Sequence, residues 1–215
     1  MLRPECGTST LEQVARRTID IIVAGGALLL LAPLMVLIAV VIKLTSPGPV
    51  VFTQRRVGFG REPFWFYKFR TMRVGTDDTA HRELIARELR GEDTAISGSH
   101  KLDGDSRVTP FGSVLRRTSL DELPQLINVV RGDMTLVGPR PCLDWEAEIF
   151  PSQYDERFTV RPGVTGLWQV SGRSTVSTLE MLRLDVDYAR QQTMRRDVAI
   201  LARTVPVLLR GDGAR

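Results

Sequence analysis

Cysteine, histidine and lysine are all scarce in this chain. Its 215 residues include two cysteines and two histidines, and of the 29 basic residues only Lys43, Lys68 and Lys101 are lysines. Cys6 and Cys142 stand far apart and in no Cys-x-x-Cys spacing, so neither a disulfide framework nor a zinc site is signalled. Free thiols facing a reducing compartment are the simplest account. His81 and His100 sit in polar stretches, which argues against a Ser/His/Asp triad or a histidine-rich metal centre. Any chemistry here falls to carboxylates, arginines and a hard cation. Arginine offers a fixed bidentate fork for phosphate oxygens where lysine is a point charge; a genome-wide codon bias would leave the same excess.

Charge of one sign is not in large surplus either. With 29 bases against 25 acids, the pI near 9.5 does not amount to a basic tract, and no nucleic-acid partner is expected. A hydrophobic share of 43% is too high for a disordered chain, and the length suits one catalytic-size domain with a small appendage.

Residues 21–42 contain no charge at all. The run meets the roughly 20 apolar residues needed to cross a bilayer. It is too long for the apolar core of a cleaved signal, and Lys43 follows where a small-residue cleavage site would stand. The protein is therefore read as membrane-bound. Pro33 interrupts the run, leaving halves of about 12 and 9 residues, each about 14–18 Å long and short of a hydrocarbon core of about 30 Å. Arg16 and Arg17 precede the run, and Lys43, Arg55 and Arg56 follow it, so the positive-inside rule puts both ends on the cytoplasmic side. A helix that dips in and returns satisfies both facts; a Pro-kinked spanning anchor is the other reading.

Beyond the turn cluster at 45–49, residues 50–53 and 64–69 read as short strands of a hairpin about Gly58 and Gly60. Phe64, Trp65, Phe66 and Tyr67 suit either the headgroup level or a small core. Residues 79–90 look like a helix with a solvated face, 91–104 like a loop, 114–131 like a helix broken at Ser119 and Pro124, and 142–150 like another short helix. Residues 177–190 and 196–210 are basic amphipathic helices, fit for an anionic membrane surface or for packing on the domain.

The densest chemical signal is Leu115-Arg-Arg-Thr-Ser-Leu-Asp-Glu-Leu-Pro-Gln-Leu126. It sets Asp121 and Glu122 at a helix opening, with Arg116 and Arg117 just upstream. Free N–H groups there favour phosphate. Adjacent carboxylates can hold Mg²⁺, which shares its ligands with substrate phosphates, or one can attack phosphorus. The same residues also fit a capping box, Ser119 as cap and Glu122 reaching back, although Pro124 falls better if Asp121 is the cap. Arg70, Arg73, Arg107, Arg131, Arg140, Arg161 and Arg173 lie near prolines, glycines or turns, and several such forks could clamp a diphosphate. Asp185-Val-Asp187 has the outline of a metal-binding Asp-x-Asp, but three residues equally fit an acid pair at a helix N-terminus, the reading preferred here.

At these residues the chain resembles the bacterial sugar transferases of the monotopic polyprenyl-phosphate phosphoglycosyl transferase family. The matching segments are Arg17-Thr-Ile-Asp20 leading into the Pro-interrupted run, Gly48-Pro-Val-Val-Phe-Thr-Gln-Arg-Arg-Val-Gly58, Phe66-Tyr-Lys-Phe-Arg-Thr-Met72 and Arg107-Val-Thr109. They continue through residues 115–126, Gly132-Asp-Met-Thr-Leu-Val-Gly-Pro-Arg-Pro141 and Val160-Arg-Pro-Gly-Val-Thr-Gly-Leu-Trp-Gln-Val-Ser-Gly-Arg173. They keep their order over nearly the whole chain.

The resemblance implies transfer of a sugar 1-phosphate from a UDP-sugar to polyprenyl phosphate, as the first membrane step of exopolysaccharide, capsule, O-antigen or glycoconjugate assembly. Asp121 then matches the nucleophile that carries the phosphosugar and releases UMP, Glu122 completes the pair, and Mg²⁺ is the cofactor, held by Asp121 and Glu122. Lys68, Arg70, Arg107, Arg116, Arg117, Arg140 and Arg161 are the expected phosphate-binding residues, and Pro33 matches the break of a re-entrant helix. The implied fold is α+β and predominantly helical. It is a monotopic membrane protein with residues 1–46 as N-terminal segment and membrane helix and 47–215 as a catalytic domain on the cytoplasmic face of the inner membrane. A chain of this length matches the minimal catalytic type. Ala32-Pro33 stands where some relatives have Ser-Pro, and residues 77–101 match no family motif. A homo-oligomer is compatible with the sequence, which does not reveal the sugar.

Overall fold

The apolar run forms a single helix, α1 (Thr10–Thr45), in a computed structural model that describes residues 9–73, 79–92, 94, 107–172 and 175–210. Arg173, His100 and most of the expected 91–104 loop lie outside the described residues. The Ser9 hydroxyl caps α1 by accepting from the Glu12 N–H at 3.2 Å. Gln13, Arg16, Asp20 and Ala24, spaced three or four apart, form one buried stripe, and Ile38 and Ile42 are buried beyond the proline. The opposite face is apolar and uncovered: Leu29, Leu30 and Leu44 are 80–81% exposed. Among the described residues α1 is the one helix long and apolar enough to cross a membrane.

The break expected at Pro33 is corrected in one respect. The helix continues through it as one element instead of ending and restarting. Proline removes one donor and crowds the turn before it, while the bonds on either side survive, so a bend and not a gap is what a mid-helix proline produces.

The hairpin is present and longer than expected. β1 (Val51–Val57) pairs antiparallel with β2 (Pro63–Phe69), Gln54 opposite Phe66, and the chain reverses through Gly60 at φ 62°. The polar Gln54-Arg55-Arg56 made the first strand look finished at Thr53. The ladder needs only main-chain groups, and Arg56 finds internal partners: its guanidinium lies 5.3 Å from the Phe66 ring centre and donates to the Pro141 carbonyl at 3.2 Å. The aromatic run divides by strand alternation. Phe66 is in the core, whereas Trp65 is 57% exposed.

α2 (Thr79–Leu89) is not simply a solvated face. Ile85 and Glu88 are buried, and Glu88 accepts from both the backbone N–H (2.8 Å) and the hydroxyl (2.5 Å) of Thr178, at the start of α7 (Thr178–Arg190). The helix expected over 114–131 is divided at the expected places, into α3 (Pro110–Thr118), a 3₁₀ turn at Leu120–Glu122 and α4 (Gln125–Arg131). α3 begins earlier than expected because Thr109 caps it, accepting from Gly112 N–H at 3.0 Å, with Pro110 in the first turn.

A parallel pair, β3 (Thr135–Val137) with β4 (Gly163–Thr165), was not expected; three residues are too few to show a period. α5 (Asp144–Ile149), a 3₁₀ segment at Ser152–Thr159, α6 (Leu167–Ser171) and α8 (Met194–Arg210) complete the described elements. Both basic amphipathic helices pack on the domain, through Leu182 and Val186 of α7 and Ile200 of α8. α1 takes part in two cores: Ala24 joins Phe66, Val129 and Val137, and Ile38 and Ile42 join Phe69 and Leu115.

Candidate active site

Ser119 ends α3 in a left-handed conformation, φ 55° and ψ 17°, with its backbone N–H on the carbonyls of Leu115 and Arg116. It makes no side-chain cap, so the capping-box reading is corrected: the residue is a stop, not a start. The reversed backbone releases a single 3₁₀ turn carrying Asp121 and Glu122, and the fully buried Pro124 then sets φ for α4. Asp121 is therefore presented by a short rigid turn between two helices.

It faces a cavity lined, beyond its own turn, by residues of seven other segments, Gln125 of α4 and Gly163 and Val164 of β4 among them. Lys68 and Phe66 come from β2, Arg56 from β1 and Arg116 from α3. Arg140 and Pro141 come from the loop after β3, and Trp168 and Gln169 from α6. Four cations thus surround the Asp121–Glu122 pair. Asp121 is only 6% exposed, and burial together with the Glu122 charge pushes its carboxyl up to about 6, against the opposing pull of Lys68 and Arg116. Burial also lowers the Lys68 ammonium, which Asp121 partly holds charged.

That balance is directly measurable. In metal-free protein the Asp121 carboxyl should titrate near pH 6 by ¹³C NMR, since its folded value lies above the ordinary one. Lys68→Met removes a cation that favours the carboxylate, so the midpoint should move to higher pH. Midpoints near about 4 in both proteins would mean a solvated carboxyl.

The cavity gathers Lys68, Arg116 and Arg140 of the seven expected phosphate-binding residues and leaves the others elsewhere. Arg70 is buried away from it and donates to the Ser46 carbonyl at 2.7 Å. Arg107 is half-buried beside the Met72–Val108 bridge, its carbonyl accepting from Arg73 N–H at 2.9 Å. Arg117 is exposed. Arg161 lines a separate cleft, its guanidinium 5.4 Å from the Phe59 ring centre and its Nε donating to the Gly132 carbonyl at 3.3 Å. Arg56, Gln125, Trp168 and Gln169 line the cavity without having been singled out. All four belong to quoted motif segments, but no local pattern marks which member of a motif turns inward. Asp185 and Asp187 are not a metal pair: Asp185 is bound by Arg157 and Asp187 by Arg196.

Among the described residues neither Asp121 nor Glu122 is in an ion pair, and no group of three or more metal-ligating side chains occurs. Two adjacent carboxylates that make no direct ion pair fit Mg²⁺, a hard ion that commonly takes one or two carboxylates and completes its shell with water and phosphate.

A buried acid ringed by cations, beside a long uncovered apolar helix, fits an enzyme that handles phosphate groups next to a membrane. The chain belongs to the bacterial sugar transferase family, which it matches over residues 11–211, and it is a phosphoglycosyl transferase. It is 38% identical over 204 residues to the exopolysaccharide production protein ExoY of Rhizobium meliloti, covering 94% of this chain and 88% of that protein. It is 42% identical over 207 residues to a UDP-glucose:undecaprenyl-phosphate glucose-1-phosphate transferase of Caulobacter vibrioides (93% and 71% of the two chains). It is 41% identical over 202 residues to an undecaprenyl-phosphate galactose phosphotransferase of Salmonella typhimurium (93% and 41%).

Proposed function

We propose that this enzyme transfers a sugar 1-phosphate from a UDP-sugar to polyprenyl phosphate through a covalent intermediate on Asp121, at the cytoplasmic face of the inner membrane. The observation that carries this reading is the convergence of Lys68, Arg116, Arg140 and Arg56 on one nearly buried carboxylate.

An Asp121 carboxylate oxygen attacks the sugar-bearing phosphorus, and the bond from that phosphorus to the bridging oxygen breaks, releasing UMP. An oxygen of polyprenyl phosphate then attacks the same phosphorus, the bond to Asp121 breaks, and the carboxylate is restored with the polyprenyl diphosphate sugar as product. Two anionic substrates thereby never meet directly. The guanidinium groups of Arg116, Arg140 and Arg56 and the Lys68 ammonium hold the diphosphate and take up charge at the equatorial oxygens. Mg²⁺, held by Asp121 and Glu122, would add charge neutralisation at the diphosphate.

The re-entrant course of α1 belongs to the same proposal. Arg17 donates to the Val129 and Val130 carbonyls of α4, and Arg70 donates to Ser46 at the other end of the helix. In a straight helix Arg17 and Ser46 stand about 43 Å apart. Their anchors are close, because Asn128 of α4 bonds the main chain at Trp65 and Tyr67, three residues before Arg70. In this reading a bend at Pro33 brings both ends to the domain, and the exposed Leu29 and Leu30 face the lipid. In a background without native cysteines, Leu11→Cys and Leu44→Cys should both react with an impermeant maleimide in inside-out vesicles and not in spheroplasts. Labelling from opposite sides would make α1 a spanning anchor.

A panel of UDP-sugars offered with undecaprenyl phosphate tests the reaction, with UMP release as the readout. At least one donor should yield acceptor-dependent turnover; failure of the whole panel in folded, membrane-inserted protein sinks the reading.

A further inference from the structure

Four successive carbonyls, those of residues 139–142 in the segment that brings Arg140 and Pro141 to the cavity, are all engaged. Pro139 accepts from Gly163 N–H at 2.9 Å, Arg140 from Arg157 Nη2 at 2.8 Å, Pro141 from Arg56 Nη1 at 3.2 Å and Cys142 from Val57 N–H at 2.8 Å. Pro139 and Pro141 have no N–H, so carbonyls are the main handles by which this segment can be held. Two of those handles fall to buried guanidinium groups, and one of the two, Arg157, takes no part in the cavity.

Arg157 is 3% exposed and its partner Asp185 1%. Asp185 Oδ2 accepts from Arg157 Nε at 3.2 Å and Nη2 at 2.8 Å, and the rings of Phe150 and Phe158 each lie 5.2 Å from the guanidinium. The remaining contacts of the guanidinium are the Cys142 thiol and the Arg140 carbonyl. A buried ion pair is a poor way to stabilise a core, since apolar residues of the same volume do as well or better. What this pair adds is a directed hydrogen bond to the main chain of Arg140, whose side chain leaves the segment toward the cavity, its guanidinium 6.0 Å from the Trp168 ring centre.

We propose that Arg157 and Asp185 are positioning residues that hold the Arg140 main chain and thereby aim its guanidinium at the diphosphate of the donor. This rests on the function proposed above and deepens it. Asp185 lies on α7 and Arg157 on the 3₁₀ segment at Ser152–Thr159, so the pair ties the posture of Arg140 to elements that never reach the cavity.

A double-mutant cycle on the full chain tests this, crossing Asp185→Asn with Arg140→Ala and reading donor KM and kcat by UMP release. The donor is whichever UDP-sugar turns over, at fixed undecaprenyl phosphate. Arg140→Ala should raise donor KM about tenfold, the scale of one charge-assisted hydrogen bond. Asp185→Asn should raise it several-fold with a smaller change in kcat, and should add less than about twofold once Arg140 is already alanine. Arg157→Lys, which keeps the ion pair but loses the fork, gives the same cycle should Asp185→Asn not fold. If the two effects multiply, the pair is merely structural and the proposal falls while the proposed function stands. If Arg140→Ala leaves donor KM unchanged, the clamp role of Arg140 and this proposal fall together. Absence of UMP release from the parent chain removes the function itself.

Discussion

Asp121→Asn should abolish trapping of radiolabelled sugar phosphate on the protein and lower UMP release by at least about 10³-fold, as loss of a covalent nucleophile does elsewhere. The amide is nearly isosteric but cannot form the acyl phosphate. The substitution should not harm the fold. Asp121 is 6% exposed, and its carboxyl is held well above its ordinary range by burial and by Glu122. An acid whose folded pKa is raised binds its proton more tightly when folded, so its ionisation opposes folding, progressively from about pH 4 to about pH 6 and fully above. At neutral pH the asparagine variant should therefore melt at the same temperature as the parent or higher. Lost activity with retained or raised stability separates a reactive residue from a structural one. Full turnover by the variant would end the nucleophile assignment.

Gly163→Ala should be the most damaging single-methyl change in the domain. A Cβ at this position would stand 2.0 Å from Gly138 N, 2.4 Å from the Thr165 carbonyl oxygen and 2.6 Å from the Val137 carbonyl carbon, all main-chain atoms that no rotamer can move. The reason is space alone. The backbone of β3 and β4 must separate, at a cost of about 3 kcal/mol, the upper part of the range for overpacking. For a chain of this size that corresponds to a melting temperature lower by roughly 6–12 °C. Activity should fall further than stability, because Gly163 lines the cavity and its N–H holds the Pro139 carbonyl. Gly26→Ala is the control, since nothing lies within 4 Å of a Cβ there. A Gly163→Ala melting curve that overlays the parent would refute the close β3–β4 approach.

The two predictions differ in how far the residues alone could have led to them. The setting of the Asp121–Glu122 pair was legible: acids between a helix ending in two arginines and a helix opening after proline form a local pattern, and the helix is divided at Ser119 and Pro124 as that pattern expects. The role of Ser119 was not, because a serine three residues before a glutamate has the same local pattern whether it caps the next helix or ends the previous one. Gly163 stood in a quoted motif, yet its importance comes from Gly138, which is 25 residues earlier and reaches it only through a three-residue parallel pair.

The arginines show the division most plainly. Scarcity of cysteine and histidine already pointed the chemistry to carboxylates, basic side chains and a hard cation, and the uncharged run at 21–42 already required an apolar surface. Those are properties of composition and local order, and the amino-acid sequence alone determined them. Which arginines stand around the acid was decided by the tertiary structure. Arg56, Arg116 and Arg140 reach the cavity, Arg161 and Arg70 donate to carbonyls elsewhere, and Arg157 binds the Arg140 carbonyl from behind. Each of those fates depends on a partner brought close by chain segments far apart in sequence, and the spacing of residues along the chain carries no record of that meeting.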